Sequence, residues 1–305
     1  MNKLYTVFGS PVLHSKSPQL FHHLLEAGDF YTRIRPGSAP DLIRMFRLWN
    51  IRGASVTSPF KESIFPLIDE ASDTARHIGA VNCIRYEGGS IAGHNTDHHG
   101  VNAALEEAGV DLNGARILVL GAGGAARAAV YGLVRAGAGV SVCNRTRAKA
   151  ERIGLQYGAD VIGWDDPAPR AAFDVVVSAL LPEAKPPFAD RWEYGLLLDA
   201  IYKPSAMKAH ALTRGIPAIS GERWLIHQGI EAARFYMDKN PQPRTMALEL
   251  DKIPNRENLR ILVADREKPA DVHRLRPDLV ISAPGMNKAR IKRIIHEEKV
   301  LAFGG

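Results

Sequence analysis

Cysteine is scarce in this 305-residue chain, which has two, Cys83 and Cys143, both inside apolar runs that read as strands. So placed, they read as small buried apolar residues and not as a disulfide or a metal pair. Long apolar runs are lacking as well. None approaches the roughly 20 residues that span a bilayer, and the opening Met1-Asn2-Lys3-Leu4-Tyr5 lacks the apolar core of a signal peptide, so no membrane partner is expected and the protein is expected in the cytoplasm. The 11 histidines are scattered, and even His22-His23 and His98-His99 have no third partner at ligand spacing, which predicts no metal. Helix-turn-helix, zinc-module and aromatic RNA-binding signatures are missing too, so the net charge of +6 is not read as nucleic-acid binding. Small anionic ligands account for it more economically.

What the chain does contain is enough apolar residue for two cores. Hydrophobic residues make up 46% and charged residues 24%, as in ordinary globular proteins, and single cores rarely grow much beyond about 250 residues. The most informative stretch is Ile117-Leu118-Val119-Leu120 running into Gly121-Ala122-Gly123-Gly124-Ala125-Ala126. An apolar strand ending in glycines and opening a small-residue helix presents a phosphate site. The spacing Gly121-x-Gly123-x-x-Ala126 fits a dinucleotide fingerprint, with a tight turn, close backbone approach and close helix packing as the three roles. The helix N-terminus adds unpaired N–H groups and a positive dipole end. The same glycines also fit a plain helix-packing device.

A second apolar run, Val140 to Cys143, ends in Asn144-Arg145-Thr146-Arg147 with Lys149 beyond. An NAD site calls for Asp or Glu there to accept from the ribose hydroxyls, and none is present. Arg145, Thr146 and Lys149 suit a 2′-phosphate instead, since guanidinium forks match phosphate oxygens. The bland reading is a solvated basic turn; the position after the glycine motif favours NADP.

Before that motif, Leu4 to Phe8 reads as a strand, followed by His14-Ser15-Lys16-Ser17-Pro18 and an amphipathic helix with Leu20, Phe21, Leu24 and Leu25 on its apolar side. Ser17 fits an N-cap before a first-turn proline; Ser15 has no such capping role, and the pair could hold a carboxylate or polyhydroxylated ligand. Phe30 to Ile34 and Gly53 to Thr57 are further strands, with a helix at Asp41 to Trp49 between them. Thr57 and Lys61 then fall outside a strand's carboxyl end, where open α/β sheets bind ligands, although Lys61 also fits a solvated helix start. Gly79 to Tyr86 and Ser90 to Gly93 flank Glu87-Gly88-Gly89 as a hairpin. Asp97 fits an N-cap for a helix at Val101 to Ala108. Helix Ala148 to Tyr157, strands Phe173 to Ser178, Leu196 to Asp199 and Pro217 to Ile219, and helix Trp224 to Met237 with Gln228 complete an alternation that indicates a parallel sheet covered on both faces.

In order, His14-Ser15-Lys16-Ser17-Pro18, Val56-Thr57-x-Pro59-Phe60-Lys61, Gly79-Ala80-Val81-Asn82, Asn95-Thr96-Asp97, Gly121-Ala122-Gly123-Gly124, Asn144-Arg145-Thr146, Asp199-x-x-Tyr202-x-Pro204 and Gln228 resemble the shikimate dehydrogenase family from Tyr5 to Met237. The resemblance implies an N-terminal α/β substrate domain plus a Rossmann-type NADP-binding domain, the substrate in the cleft. It implies reversible NADPH-dependent reduction of 3-dehydroshikimate to shikimate in aromatic amino-acid biosynthesis. By motif, Ser15, Ser17, Thr57, Asn82 and Gln228 hold the acid and its ring hydroxyls, Tyr202 lines the site, and Lys61 and Asp97 are the catalytic pair. Gly121, Gly123, Gly124, Ala125, Ala126, Asn144, Arg145, Thr146 and Lys149 bind the cofactor. A hydride delivered to a ketone leaves an alkoxide that needs a proton, which a Lys ammonium beside a carboxylate can supply.

Three departures bear on the substrate. Ser55 stands where the family carries Asn, His98 follows Asn95-Thr96-Asp97 in place of Gly, and Glu222-Arg223-Trp224 replaces a Leu-x-Met run. Quinate, an amino-substituted shikimate or another cyclic hydroxy acid therefore stays open beside shikimate, as does a cofactor-binding sensor; the intact Lys61 and Asp97 favour the enzyme. The expected domains are 1–100 with 222–254, then 101–221, then an extension, 255–305. In that extension strands at Leu259 to Ala264, Leu279 to Ser282 and Val300 to Phe303, with helices at Ala270 to Leu275 and Asn287 to Glu298, predict a β-α-β-α-β tail. It is too small to stand alone, so it docks on the main body or on a second subunit; a homodimer is the assembly this admits.

Overall fold

Each apolar run bounded by turn residues forms a strand. Along the chain these are β1 (Leu4–Phe8), β2 (Phe30–Arg35), β3 (Ile51–Val56), β4 (Glu70–Ala71), β5 (Cys83–Glu87), β6 (Ser90–His94), β7 (Arg116–Leu120), β8 (Gly139–Asn144), β9 (Asp160–Gly163), β10 (Ala172–Ser178), β11 (Glu193–Asp199), β12 (Ala218–Ser220), β13 (Ile261–Ala264) and β14 (Leu279–Ser282). The computed structural model describes residues 2–165, 172–187, 189–252, 261–264, 277–282 and 288–303. It divides into two units, Met1–Thr96 with Gly229–Gly305, and Asp97–Gln228.

The second unit is a six-stranded sheet in the order β12-β11-β10-β7-β8-β9, every neighbouring pair parallel. Read from β9, this is the doubly wound order in which the sheet reverses beside its first strand, here between β7 and β10, and ligands bind at that switch point. Ile117, Leu118, Val119 and Leu120 are all fully buried, as a strand covered on both faces requires. The helices Gly124–Arg135 and Arg147–Tyr157 bury Ala126, Ala129, Val130, Leu133, Ala150 and Ile153 in one cluster with it.

The first unit has an eight-stranded mixed sheet, β13-β14-β2-β1-β3-β5-β6-β4. One face packs Phe8, Ile34, Ile51 and Ala54 on Phe46 and Trp49; Phe46 comes from the helix Ala39–Leu48, which Ser38 caps by accepting from Asp41 N–H. The β5–β6 hairpin turns on Gly88 and Gly89, at φ 60° and 87°, the left-handed pair that a two-residue loop needs.

The structure corrects four sequence expectations. Ser17 is not an N-cap: Lys16 holds that place, without a side-chain cap, and Ser17 is the first residue of the helix Ser17–Phe21. That helix stops early; His22–Leu24 is a 3₁₀ turn and Leu25 is extended. Gly79 to Asn82 is not strand, because Gly79, at φ 67°, closes a short helix, Asp73–Ile78, that Ser72 caps. In the tail, Val300 to Phe303 continues the helix Lys288–Phe303. No Gly or Pro interrupts the chain between Lys288 and Phe303, and a helix already nucleated propagates through good formers. The helix expected at Ala270 to Leu275 lies outside the described residues.

The tail joins the first sheet. β14 pairs with β2 in parallel, Val280 opposite Ile34 and Ile281 opposite Arg35, and Val280 and Ile281 are fully buried.

Candidate active site

In the first unit, two loops leave the carboxyl ends of parallel neighbours. β1 leads into Gly9–Lys16, β3 into Thr57–Pro59, and the two are tied by Ser10 N–H to the Ser58 carbonyl at 3.1 Å and Thr57 N–H to the Phe8 carbonyl at 2.9 Å. Ser15 and Ser17 are buried, and the Ser15 hydroxyl donates to the Ser17 Oγ at 3.2 Å. Lys61 lies in the turn of helix Phe60–Ser63, half-buried, and its carbonyl accepts from Val81 N–H at 2.8 Å. That bond places the Gly79–Asn82 loop against it. Asn82 is buried and clasps Thr96, donating from Nδ2 to Oγ1 at 2.9 Å and accepting the Thr96 N–H at Oδ1 at 2.8 Å. Ser15, Ser17, Thr57, Lys61 and Asn82 thus gather at one end of this sheet.

Ser55, Tyr31 and Tyr236 extend this group. The Tyr31 hydroxyl donates to Ser55 Oγ at 3.2 Å and lies 3.3 Å from the Tyr236 hydroxyl, which is 3.1 Å from Ser55 Oγ. Tyr31 also bonds Ser17, so the hydroxyls run continuously from Ser15 to Tyr236. Burial pushes the Tyr31 phenol up to about 12, and burial raises Tyr236 well above its ordinary value, so both stay protonated donors. Sequence reasoning singled out Ser55 alone. Tyr31 and Tyr236 are far apart in the chain, and neither carries a spacing signal.

In the second unit, Asp97 opens the helix Asp97–Glu107 and is 2% exposed. The Trp224 indole N–H donates to its carbonyl at 2.9 Å. Gly100, one turn on, lets the helix that begins at Gly221 close in: a Cβ there would meet the Trp224 carbonyl at 2.8 Å and Gln228 Cβ at 2.9 Å. This packing sets Gln228 against Gly100, one turn after Asp97. Glu107, at the helix end, accepts from Arg223 Nε at 2.8 Å and lies 3.1 Å from His227 Nε2. Burial works to raise its carboxyl, but the Arg223 and His227 bonds outweigh it and hold it below the usual range. The departures Arg223 and Trp224 are therefore joints between two helices, and His98 packs edge-on to Tyr131 with ring centroids 5.6 Å apart. Tyr202 sits in the loop after β11. Fully buried Asp199 shapes that loop by accepting from Ile201 N–H at 3.2 Å and from the Ser205 hydroxyl. Burial raises the Asp199 carboxyl.

The glycine turn follows β7 at the switch point. Gly121 has φ 114°, and a Cβ there would meet the Ala179 carbonyl at 3.0 Å, whereas at Gly123 a Cβ would meet nothing within 4 Å. Gly123 caps the helix Gly124–Arg135 without a side-chain bond, so its first N–H groups face the open cradle beside Ala125 and Ala126. After β8, Asn144 Nδ2 donates to the Thr146 carbonyl at 2.9 Å, shaping a turn on which Arg145, Thr146 and Lys149 are exposed. An open, glycine-floored helix N-terminus and exposed cations at the second strand's end fit a dinucleotide with a 2′-phosphate. Among the described residues no group of side chains could hold a metal ion and no helix is long and apolar enough to cross a membrane.

Fold and site together define a two-unit α/β protein with a dinucleotide-binding half. Residues 7–84 match the family model of the shikimate dehydrogenase substrate binding domain, and residues 102–185 that of shikimate / quinate 5-dehydrogenase. The shikimate dehydrogenase (NADP(+)) of Aquifex aeolicus is 35% identical over 248 residues, which cover 77% of this chain and 91% of the relative. Among solved structures, the shikimate 5-dehydrogenase of Thermus thermophilus in complex with NADP(H) and shikimate superposes with a TM-score of 0.71 at 31% identity, covering 81% of this chain and 98% of that one. The 5-ketofructose reductase of Gluconobacter sp. strain CHM43 gives 0.64 at 25% identity, over 82% and 98%. The chain belongs to the shikimate dehydrogenase family.

Proposed function

We propose that this protein is an NADP-dependent dehydrogenase that interconverts 3-dehydroshikimate and shikimate. The observation that carries the reading is the convergence of Ser15, Ser17, Thr57, Lys61 and Asn82 at one end of the first sheet, in a chain whose second half has the glycine cradle and the Arg145-Thr146 turn. Bound NADPH supplies the hydride to the ring ketone. The Ser15 and Ser17 hydroxyls, with the donors Tyr31 and Tyr236 behind them, hold the carboxylate; Thr57, Asn82 and Gln228 orient the ring hydroxyls, and Tyr202 lines the site. Lys61 gives a proton from Nζ to the ketone oxygen in reduction, Asp97 orients the ammonium and the ring, and the roles reverse in oxidation.

A second substrate reading rests on Ser55. It replaces an amide with a hydroxyl bound to Tyr31 and Tyr236, so this wall offers different hydrogen bonds, and polar sites reject ligands that leave such groups unpaired. The panel of shikimate, quinate, an aminoshikimate and a ketohexose, each with NADP(H), tests both. Highest kcat/KM on shikimate supports the first reading; highest on another cyclic acid transfers the reaction to that acid, and inertness on all of them rejects the enzyme.

A further inference from the structure

The helix Lys288–Phe303 lies beyond the motifs that carry the family resemblance, yet one of its side chains reaches the loop bearing Ser15 and Ser17. The carboxylate of Glu298 is fully buried. Its Oε2 accepts from Val12 N–H at 2.9 Å and Leu13 N–H at 2.7 Å. Its Oε1 accepts from Arg35 Nη1 at 3.0 Å, with Val12 N 3.2 Å away. A carboxylate removed from water persists only where hydrogen bonds and an opposite charge replace its hydration, and Glu298 has both.

The loop it holds is short and already half closed. The Val12 carbonyl accepts from Ser15 N–H at 2.9 Å, and the Ser15 carbonyl accepts from Arg33 Nε at 2.9 Å and Nη2 at 2.7 Å. Arg33 and Arg35 alternate onto one face of β2, the strand to which β14 pairs. The turn is therefore gripped at its start by Glu298 and at its end by Arg33. We infer that Glu298 is a positioning residue for the Ser15–Ser17 substrate loop, and that the C-terminal segment is thereby a working part of the acid-binding site. This rests on the function proposed above.

Glu298→Gln keeps the size but turns an amide N–H toward donors. Displacing a substrate-holding group by even about 1 Å can cost on the order of a hundredfold. The expected result is a KM for shikimate raised roughly tenfold or more, with kcat changed much less and the Kd for NADPH within about twofold of wild type. Hydrogen exchange at Val12 and Leu13 should accelerate, and Glu298→Asp, which keeps the charge, should recover part of the loss. A KM within twofold of wild type overturns the inference, and so does unaccelerated exchange at Val12 and Leu13. Should Glu298→Gln fail to fold, Arg35→Met, which removes the cation on Glu298 Oε1 and leaves both backbone donors paired, is judged by the same KM and NADPH criteria alone. A wild type inert on every acid rejects the functional reading, whereas an active wild type with an unaffected variant rejects this inference alone.

Discussion

In the function proposed here, cofactor choice turns on Arg145. Among the described residues it stands exposed after β8 where a ribose-binding carboxylate would sit in an NAD site. Charge-assisted hydrogen bonds contribute about 1.5–3 kcal/mol each. Arg145→Ala should therefore weaken NADPH roughly ten- to a hundredfold and leave NADH nearly unchanged; titrating both cofactors into both proteins checks it, and equal losses would remove the 2′-phosphate assignment. Trp224 offers a second test. Trp224→Phe retains the buried ring contact but leaves the Asp97 carbonyl without its 2.9 Å donor, so stability should fall by about 1 kcal/mol in denaturant unfolding. The glycines and the Arg145 turn were legible because spacing along one strand-turn-helix is local. The Trp224–Asp97 bond was not, for 127 residues separate its partners.

At the scale of elements, a parallel sheet covered on both faces and nearly every strand of the second unit could be read from apolar runs between helices, because a strand buried on both faces has no other composition available; the strand order could not. Short elements escaped. The helix Asp73–Ile78 is too brief for its periodicity to register, and β4 has two residues. The tail strand at Leu279 to Ser282 was legible, but its partner was not: pairing with β2 depends on a register that no local pattern encodes. Ending the chain after Pro254 would strip β14 from β2, uncover the side of Ile34 that Val280 packs against and delete Glu298. The melting temperature of the truncated protein should drop by several degrees, as a loss of one or more kcal/mol does in a domain of this size. An unchanged melting curve would mean the tail carries no weight in the fold.

For the whole molecule, pH reports on two imidazoles that folding takes out of water. Burial holds His23 and His210 below the ordinary imidazole value. His210 Nε2 has no hydrogen-bond partner among the described residues. The unfolded chain, with imidazoles near pH 6.5, then binds protons more readily than the folded one, so their contribution is fully present above about pH 6.5 and is lost as pH falls through the folded values. Melting temperature should decline between pH 7.5 and 5.5, and replacing both residues by Leu should flatten that slope whatever it does at neutral pH. A slope equal to the wild type's would assign the decline to other groups.

In the function proposed here, Lys61 moves the proton of the reaction. The most direct measurement is the initial rate of shikimate-dependent NADP+ reduction by the wild-type chain and by Lys61→Met, together with the shikimate dissociation constant of each. General acid–base groups contribute roughly a hundred- to ten-thousandfold. Turnover by the wild type, a fall of that order in Lys61→Met and similar shikimate binding by both are expected. A Lys61→Met protein that turns over near the wild-type rate would contradict that role.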